Sequence, residues 1–246
     1  MSHTPLDPLG ETARRLAGAE SVLVLTGAGI SAESGIPTFR GREGLWKNHD
    51  PMELASPEGF ARDPALVWEW YAWRIGLVQA ARPNPGHEAL ARLEKATPRF
   101  LLLTQNVDGL HRRAGSENLH EIHGSILRAR CTETDRIYPI EDLDLEKIPV
   151  RTPEGTLARP DVVWFGETIR MDAYGAVEAF LADQPPDVCL VIGTSGLFAY
   201  IQGWVLRARR AGAFVADVNT DPSPLAQVCQ AVIRQPAGEA LPRLIP

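Results

Sequence analysis

A glycine-rich turn, Gly27-Ala28-Gly29, follows an apolar run from Val22 to Leu25 and has the spacing of a phosphate-binding loop. The apolar run is typical of a strand buried on both faces of a parallel sheet. Two glycines one residue apart let the backbone approach a pyrophosphate closely, and the N–H groups that open the next helix would bind it. The spacing alone is weak support, because many such loops bind nothing. The turn therefore marks a candidate dinucleotide site.

The residues after this turn differ from those of a dehydrogenase. A dehydrogenase would continue into a regular helix and a second strand, ending in an acidic residue that holds the adenosine ribose. Here Gly35-Ile36-Pro37 interrupts the helix, and the segment from Leu45 to Met52 contains neither the strand nor the acid. The sequence thus predicts a dinucleotide site for chemistry other than hydride transfer.

Polar motifs also follow three other apolar runs, after Leu103, Ile192 and Val218. The carboxyl ends of parallel strands share one edge of a sheet, and ligands of this fold class bind there. We therefore expect all four motifs to contribute to one site.

Strand patterns alternate with helix patterns along the chain, which predicts an α/β fold with a parallel sheet. Polar residues 40–57, broken by glycines and prolines, are interpreted as a mobile loop long enough to have a function. Residues 130–159 interleave charges and prolines with short apolar pieces and suggest a small inserted module. Strands are predicted at 22–25, 100–104, 119–122, 162–165, 188–192, 214–218 and 231–233, and helices at 9–17, 65–81, 87–96, 173–182 and 198–210.

The composition is that of a globular protein, with 246 residues, 44% of them hydrophobic, and a net charge of −6. This charge argues against direct nucleic-acid binding, and no apolar run is long enough to span a membrane. The first ten residues lack the pattern of a signal peptide. Three scattered cysteines, Cys131, Cys189 and Cys229, do not form a disulfide framework. We expect a cytoplasmic protein that is a monomer.

Taken together, the motifs resemble those of the sirtuins, a family of NAD-dependent protein-lysine deacylases. The resemblance extends from Gly27 to Ala237-Gly238-Glu239 and rests on six motifs in the family's order. They are Gly27-Ala28-Gly29-Ile30-Ser31, Pro37-Thr38-Phe39-Arg40, the run from Thr104 to His111, His123-Gly124, Phe165-Gly166-Glu167 and Gly193-Thr194-Ser195.

The resemblance implies a Rossmann-like parallel sheet with helices on both faces, plus a small inserted domain. The NAD-binding domain would comprise residues 1–37, 83–126 and 160–246, and two insertions, 38–82 and 127–159, would form the small domain. The implied activity removes acyl groups from acylated-lysine proteins and transfers them to ADP-ribose, with release of nicotinamide. NAD would be consumed as a co-substrate.

The catalytic residues that the resemblance implies are His123, Asn106 and Asp108. His123 would deprotonate a ribose hydroxyl, which suits histidine because its ordinary pKa lies near neutrality. Asn106 and Asp108 would hold the nicotinamide carboxamide and a bound water. Taken singly, an Asn or Asp after a strand could instead cap a helix, and a lone histidine is more often a core or surface residue.

The implied contacts with NAD surround its phosphates and riboses. Gln105 would meet one ribose, Ser195 and Asn219 would meet the adenosine ribose, and Arg40 would contact a phosphate or close over nicotinamide unless it is simply solvated. The full set is Gly27, Ala28, Gly29, Ser31, Thr38, Phe39, Arg40, Gln105, Gly193, Thr194, Ser195, Asn219 and Ala237.

The substrate lysine would enter as an added strand, with the backbone of Val163 and the residues Phe165, Gly166 and Glu167 beside it. Tyr71 and Arg74 lie three apart on one helix face and resemble the Tyr-x-x-Arg of sirtuins that remove succinyl, malonyl or glutaryl groups. Arginine can bind a distal carboxylate bidentately. Alternatively, Tyr71 packs in the core and Arg74 extends to solvent.

The chain departs from the family in two places. Most sirtuins have two Cys-x-x-Cys pairs that bind a structural zinc ion, but Thr134 follows Cys131 where a second ligand would stand, so we predict no metal site. After Ser195 the usual Val and Pro-Ala residues are replaced by Gly196 to Gln202. Two other functions stay open: mono-ADP-ribosyl transfer or NAD hydrolysis, and a non-catalytic nucleotide-sensing module.

Overall fold

The computed structural model of this protein describes residues 7–38 and 49–245. Within these residues nine strands form two sheets. Their bounds are β1 (Ser21–Thr26), β2 (Arg99–Thr104), β3 (Leu119–Glu121), β4 (Gly124–Cys131), β5 (Ile137–Pro139), β6 (Ala158–Val162), β7 (Val188–Ile192), β8 (Phe214–Val218) and β9 (Ala231–Ile233).

Helices connect most of these strands. They are α1 (Pro8–Ala17), α2 (Gly29–Ala32), α3 (Pro51–Leu54), α4 (Pro57–Arg62), α5 (Pro64–Ala80), α6 (Pro85–Ala96), α7 (Leu110–Arg113), α8 (Met171–Asp183), α9 (Ala199–Arg210) and α10 (Ala237–Leu244). None of the helices in the described part of the chain is both long and apolar enough to cross a membrane.

The larger sheet is parallel and has the strand order β3-β2-β1-β7-β8-β9. Its strands are apolar throughout because alternate residues enter different cores. Val22 and Val24 of β1 pack with α1, α6 and α10, whereas Leu23 and Leu25 pack with α8 and α9. The predicted Rossmann-like sheet with helices on both faces is confirmed.

Side-chain caps set where the two long helices before β2 begin. Asp63 accepts a hydrogen bond from the Leu66 N–H at 2.9 Å, and proline stands at the first position of α5. Asn84 caps α6 in the same way, and its amide also donates to the Ile30 carbonyl at 2.7 Å. The start of α6 is therefore tied directly to the glycine-rich turn.

The smaller sheet is antiparallel, with the order β5-β4-β6. It shares a hydrophobic core with α3, α4 and α5, so Ile36 and residues 54–81 pack with residues 126–164. Trp68 of α5 is fully buried there, and its indole N–H donates to the Ala158 carbonyl of β6 at 2.7 Å. The domain boundaries drawn from the sequence stay a prediction.

The strand predicted at 162–165 is wrong, because β6 ends at Val162 where the prediction begins. The sequence of β6 concealed it, since Arg159, Pro160 and Asp161 are atypical of a strand. Proline is tolerated because β6 lies at the edge of its sheet, and both charged residues form ion pairs. Strand β4 was not predicted either.

Two other parts of the chain are more helical than predicted. Residues 51–54 of the expected loop form α3, and α4 follows directly from Pro57. The C-terminal helix α10 was missed because Pro242 lies inside it. Its apolar residues Ala240, Leu241 and Leu244 are buried in the core beside α6, so tertiary packing outweighs the helix-breaking tendency of proline.

The turn after β4 holds Cys131 without a second thiol. Tyr138 donates to Glu154 at 2.8 Å, and Arg136 pairs with the same carboxylate at 3.1 Å, which joins this turn to residues 152–156. Zinc needs about four nitrogen, sulfur or carboxylate ligands, and no group of three or more suitable side chains occurs among the described residues. The prediction that the chain has no metal site stays a prediction.

Two buried histidines, His87 of α6 and His111 of α7, are in contact, with their rings tilted and the ring centroids 4.8 Å apart. Burial lowers the pKa of His87 to about 4 and that of His111 well below its ordinary value. The unfolded chain therefore binds more protons than the folded one between pH 6.5 and about 4, and stability falls as the pH falls through this range.

We expect His87→Gln to make unfolding less sensitive to acid. Removing a pKa shift of this size should make the decrease in free energy of unfolding between pH 6.5 and 4 smaller by about 3 kcal/mol. Urea titrations at several pH values measure it, with His120→Gln in β3 as a matched control. An unchanged slope for His87→Gln would contradict the assignment.

Candidate functional site

The carboxyl ends of β1, β2, β7 and β8 converge as expected and bring four polar motifs together. Gly27 donates to the Ile192 carbonyl at 2.9 Å, and Gln105 donates through its backbone to the Thr26 carbonyl at 3.0 Å. The Gln105 side chain reaches Thr194 Oγ1 at 2.8 Å, and the Asn219 amide donates to the Thr194 carbonyl at 2.7 Å. Residues of all four motifs form one continuous edge.

Glycines let the ends of β1 and β7 touch at this edge. The Gly29 N–H donates to the Gly193 carbonyl at 2.8 Å. A Cβ atom on Gly29 would lie 2.6 Å from the Gly193 Cα, and one on Gly27 would lie 2.8 Å from the Thr194 Cβ. The backbone thus has no side chains at Gly27 and Gly29, and close approach of a phosphate requires such a backbone.

A buried hydrogen-bonded chain lies beside the glycine-rich turn. The Ser31 hydroxyl donates to Asp108 Oδ2 at 2.7 Å, and the Asn106 amide donates to Ser31 Oγ at 3.1 Å. Asp108 Oδ1 also accepts from the N–H of Leu110, the first residue of α7, at 2.9 Å, although the N-cap position of α7 is Gly109. Asp108 is therefore not the N-cap considered from the sequence, and its role in the site stays a prediction.

Burial raises the pKa of Asp108, opposed by its hydrogen bonds to Leu110 and Ser31 and by the charges of Arg74 and Arg113. The carboxylate can accept hydrogen bonds but has little contact with solvent. A group of this kind is suited to orienting a polar ligand in an enclosed pocket.

His123 lies directly after β3, and its ring is held from both sides. Nδ1 lies 3.0 Å from the Gln105 carbonyl, and Nε2 lies 2.5 Å from the hydroxyl of Tyr200 in α9. Because a carbonyl only accepts, Nδ1 carries the proton and Nε2 is the basic nitrogen. Burial lowers the pKa of His123 to about 4, so the ring is neutral and able to accept a proton at neutral pH.

The segment predicted to hold the substrate runs beside this histidine. The Val163 N–H donates to the His123 carbonyl at 2.8 Å. Phe165 is exposed, and Gly166 has a positive φ of 89°. Glu167 faces inward instead, where it forms a two-bond ion pair with Arg159 at 2.7 and 2.9 Å. We interpret Glu167 as a structural residue that holds the segment in place.

Tyr71 and Arg74 lie close together on α5, as their spacing predicts. Tyr71 is buried and its hydroxyl accepts from the Trp164 indole at 3.0 Å. The Arg74 guanidinium carbon lies 4.9 Å from the Trp70 ring centroid and 5.7 Å from that of Tyr71. Tyr71 packs in the core, as one alternative drawn from the sequence has it, and its role with Arg74 in an acyl pocket stays a prediction.

The remaining predicted contacts are less closely grouped. Ser195 is half-buried near the start of α9, and Thr38 is half-buried at the end of the first described segment. Ala237 is buried in the core at the start of α10. Phe39 and Arg40 lie outside the described residues. The roles assigned to the site residues stay predictions.

Sequence reasoning missed three side chains that complete the site, namely Tyr200, Trp164 and Arg159. Trp164 joins Tyr71 to the substrate segment, and Arg159 lies over its ring, 3.4 Å from the centroid. The altered sequence after Ser195 was a signal for Tyr200. Nothing local distinguishes Arg159 or Trp164, whose partners lie elsewhere in the chain.

A model of the Sir2 family matches residues 27–199. The chain is 50% identical over 232 residues to NAD-dependent protein deacylase 2 of Pyrobaculum aerophilum, covering 94% of this chain and 92% of the relative. It is 46% identical over 245 residues to an NAD-dependent protein deacylase of Thermus thermophilus, covering 98% and 95%.

A solved structure of a mutant Sir2 homologue in complex with 2′-O-acetyl ADP-ribose has the same fold. It superimposes with a TM-score of 0.88 at 41% identity and covers 96% of this chain and 94% of its own.

Proposed function

Because this chain belongs to the Sir2 family, we propose that it is an NAD-dependent protein deacylase. One observation carries the proposal. The neutral base His123 and the hydrogen-bonded chain of Ser31, Asn106 and Asp108 lie at the same edge of the sheet as the glycine-rich turn. The site combines a place for phosphates, polar groups for a carboxamide and one nitrogen base.

In the proposed reaction NAD is a co-substrate. The glycine turn and Thr194 receive its phosphates, and Asn106 and Asp108 orient the nicotinamide carboxamide. The amide oxygen of the acyl-lysine attacks the ribose carbon as the bond to nicotinamide breaks. His123 then accepts a ribose hydroxyl proton at Nε2, and the freed oxygen attacks the imidate carbon. One water adds to the resulting adduct, the bond to the lysine nitrogen breaks, and that nitrogen takes up a proton. The products are nicotinamide, lysine and 2′-O-acyl-ADP-ribose.

We further propose that the acyl pocket accepts dicarboxylic acyl groups such as succinyl as well as acetyl. Arg74 supports this because its guanidinium carbon lies 5.7 Å from the Tyr71 ring centroid and its charge interacts with Asp108. A carboxylate at the end of an acyl chain would neutralise it with charge-assisted hydrogen bonds.

Replacing Arg74 tests the acyl preference. We expect the wild-type protein to release nicotinamide faster from NAD with a succinyl-lysine peptide than with its acetyl counterpart. Arg74→Met should lower kcat/KM for the succinyl peptide about 100-fold, the loss of roughly 3 kcal/mol expected for a bidentate charged contact, and leave the acetyl peptide within about 3-fold.

The same assay separates the other functions. His123→Ala serves as the blank for enzymatic release, since loss of a general base lowers rates about 10²–10⁴-fold. Release without peptide would indicate NAD hydrolysis, and release from none of the mixtures would favour a nucleotide-sensing module. If Arg74→Met lowered kcat/KM equally for both peptides, the proposal of a dicarboxylic acyl pocket would be overturned and the deacylase proposal would stand.

A further inference from the structure

Three aromatic side chains lie at the start of α9, and two of them, Phe198 and Tyr200, contact the ring of His123. The Tyr200 hydroxyl lies 2.5 Å from Nε2, and the Phe198 ring meets the histidine edge-on with centroids 5.5 Å apart. Phe198 stacks on Tyr200 at 5.4 Å, and Trp204 packs on its other side at the same distance. Tyr200 is thus held in one orientation by rings that make no hydrogen bond to its hydroxyl.

The direction of the hydrogen bond follows from the other side of the imidazole. Nδ1 donates its proton to the Gln105 carbonyl, so Nε2 of the neutral ring has a lone pair and no proton. Tyr200 must therefore be the donor. Burial raises the pKa of the Tyr200 phenol well above its ordinary value, so the hydroxyl keeps its proton at any physiological pH.

The phenol oxygen has lone pairs left to accept a second hydrogen bond. The Tyr200 hydroxyl donates to His123, and no group among residues 7–38 and 49–245 donates a hydrogen bond to its oxygen. Tyr200 is half-buried, and the ring of His123 links it to Gln105, whose side chain reaches Thr194. A substrate hydroxyl that reaches this oxygen is joined through it to Nε2.

We propose that Tyr200 is a proton relay between the ribose hydroxyl and His123, an inference that rests on the proposed deacylase function. The ribose O–H bond breaks as its proton passes to the Tyr200 oxygen, and the Tyr200 O–H bond breaks as that proton passes to Nε2. Tyr200 ends neutral, His123 ends as imidazolium, and the ribose oxygen keeps the electron pair with which it attacks the imidate.

Kinetics of Tyr200→Phe test the relay, because phenylalanine keeps the ring packing and removes only the hydroxyl. With NAD and the better of the two acyl peptides, we expect kcat to fall about 100-fold, the lower part of the range for a proton-transfer group. KM for NAD should stay within about 3-fold. Tyr200→Phe combined with His123→Ala should be no slower than His123→Ala alone. Tyr174→Phe, whose ring also packs on Trp204, is the matched control and should keep wild-type kcat.

A kcat for Tyr200→Phe equal to or above that of the wild type would overturn the relay, since the hydroxyl would then only cover the base. A rise in KM for NAD with unchanged kcat would overturn it too, because Tyr200 would then be a binding residue.

Nitrogen NMR of the His123 ring distinguishes failure of the relay proposal from failure of the deacylase proposal. We expect Tyr200→Phe to shift the Nε2 resonance and raise the pKa of His123, since the neutral ring loses its hydrogen bond. An inactive wild-type protein overturns the deacylase proposal and the relay together. An active wild-type protein with a kinetically unchanged Tyr200→Phe variant overturns the relay alone.

Discussion

Gly124→Ala is expected to unfold the junction between β4 and β6 and to abolish deacylation. An added Cβ would lie 2.1 Å from the Asp161 carbonyl oxygen, and the residue has a φ of 79° that alanine rarely adopts. Pushing β6 away would also break the ion pairs of Asp161 with Arg128 and Arg170. We expect a loss of about 4 kcal/mol or more in free energy of unfolding, at the high end for one substitution.

Gly115→Ala is the matched control, because Gly115 has a φ of 98° and nothing within 4 Å of the added Cβ. It should cost only the backbone strain, about 1–2 kcal/mol, and keep activity. Urea unfolding and nicotinamide release measure both variants. If Gly124→Ala lost no more stability than Gly115→Ala, the close contact of β4 with β6 would be refuted.

Gly29→Ala should have the second largest effect, and mainly on NAD. Its Cβ would meet the Gly193 Cα at 2.6 Å and the Gly193 carbonyl oxygen at 2.8 Å. Both obstacles are backbone, so the ends of β1 and β7 must separate. We expect a loss of about 2–3 kcal/mol in stability, as for overpacking, and at least about 100-fold weaker binding of NAD by calorimetry.

Gly175→Ala in α8 gives the comparison for Gly29→Ala, since this helical glycine has open space around the added Cβ. It should raise stability by up to about 1 kcal/mol, through helix propensity, and leave NAD binding unchanged. Similar NAD affinities for the two variants would show that the contact between β1 and β7 is not needed for the phosphate site.

The sequence predicted the larger sheet because its strands can be recognised from their own residues. Residues such as those of β1 and β7 are apolar on both faces, and the polar motifs begin where these strands end. The smaller sheet was harder, because the charges of β6 become compatible with a strand only through Glu167, Arg128 and Arg170, which come from other segments.

The candidate site was predictable to the same extent. Asn106, Asp108 and His123 stand in motifs that can be recognised from order and spacing alone. The bond from Tyr200 to His123 joins residues 77 positions apart, and no periodicity signals it. Arg159 is similar, since only the fold brings its guanidinium over Trp164 and onto Glu167.

The shared core of the smaller sheet and α5 has a consequence for synthesis of the protein. Trp68 and Trp70 are buried in one core with residues such as Ile126, Val162 and Trp164, so the packing of these tryptophans is incomplete until residue 164 has left the ribosome. At about 5–20 residues per second this wait is on the order of ten seconds. During it α5 is an exposed, tryptophan-rich segment, and a chaperone that binds nascent chains would find it there.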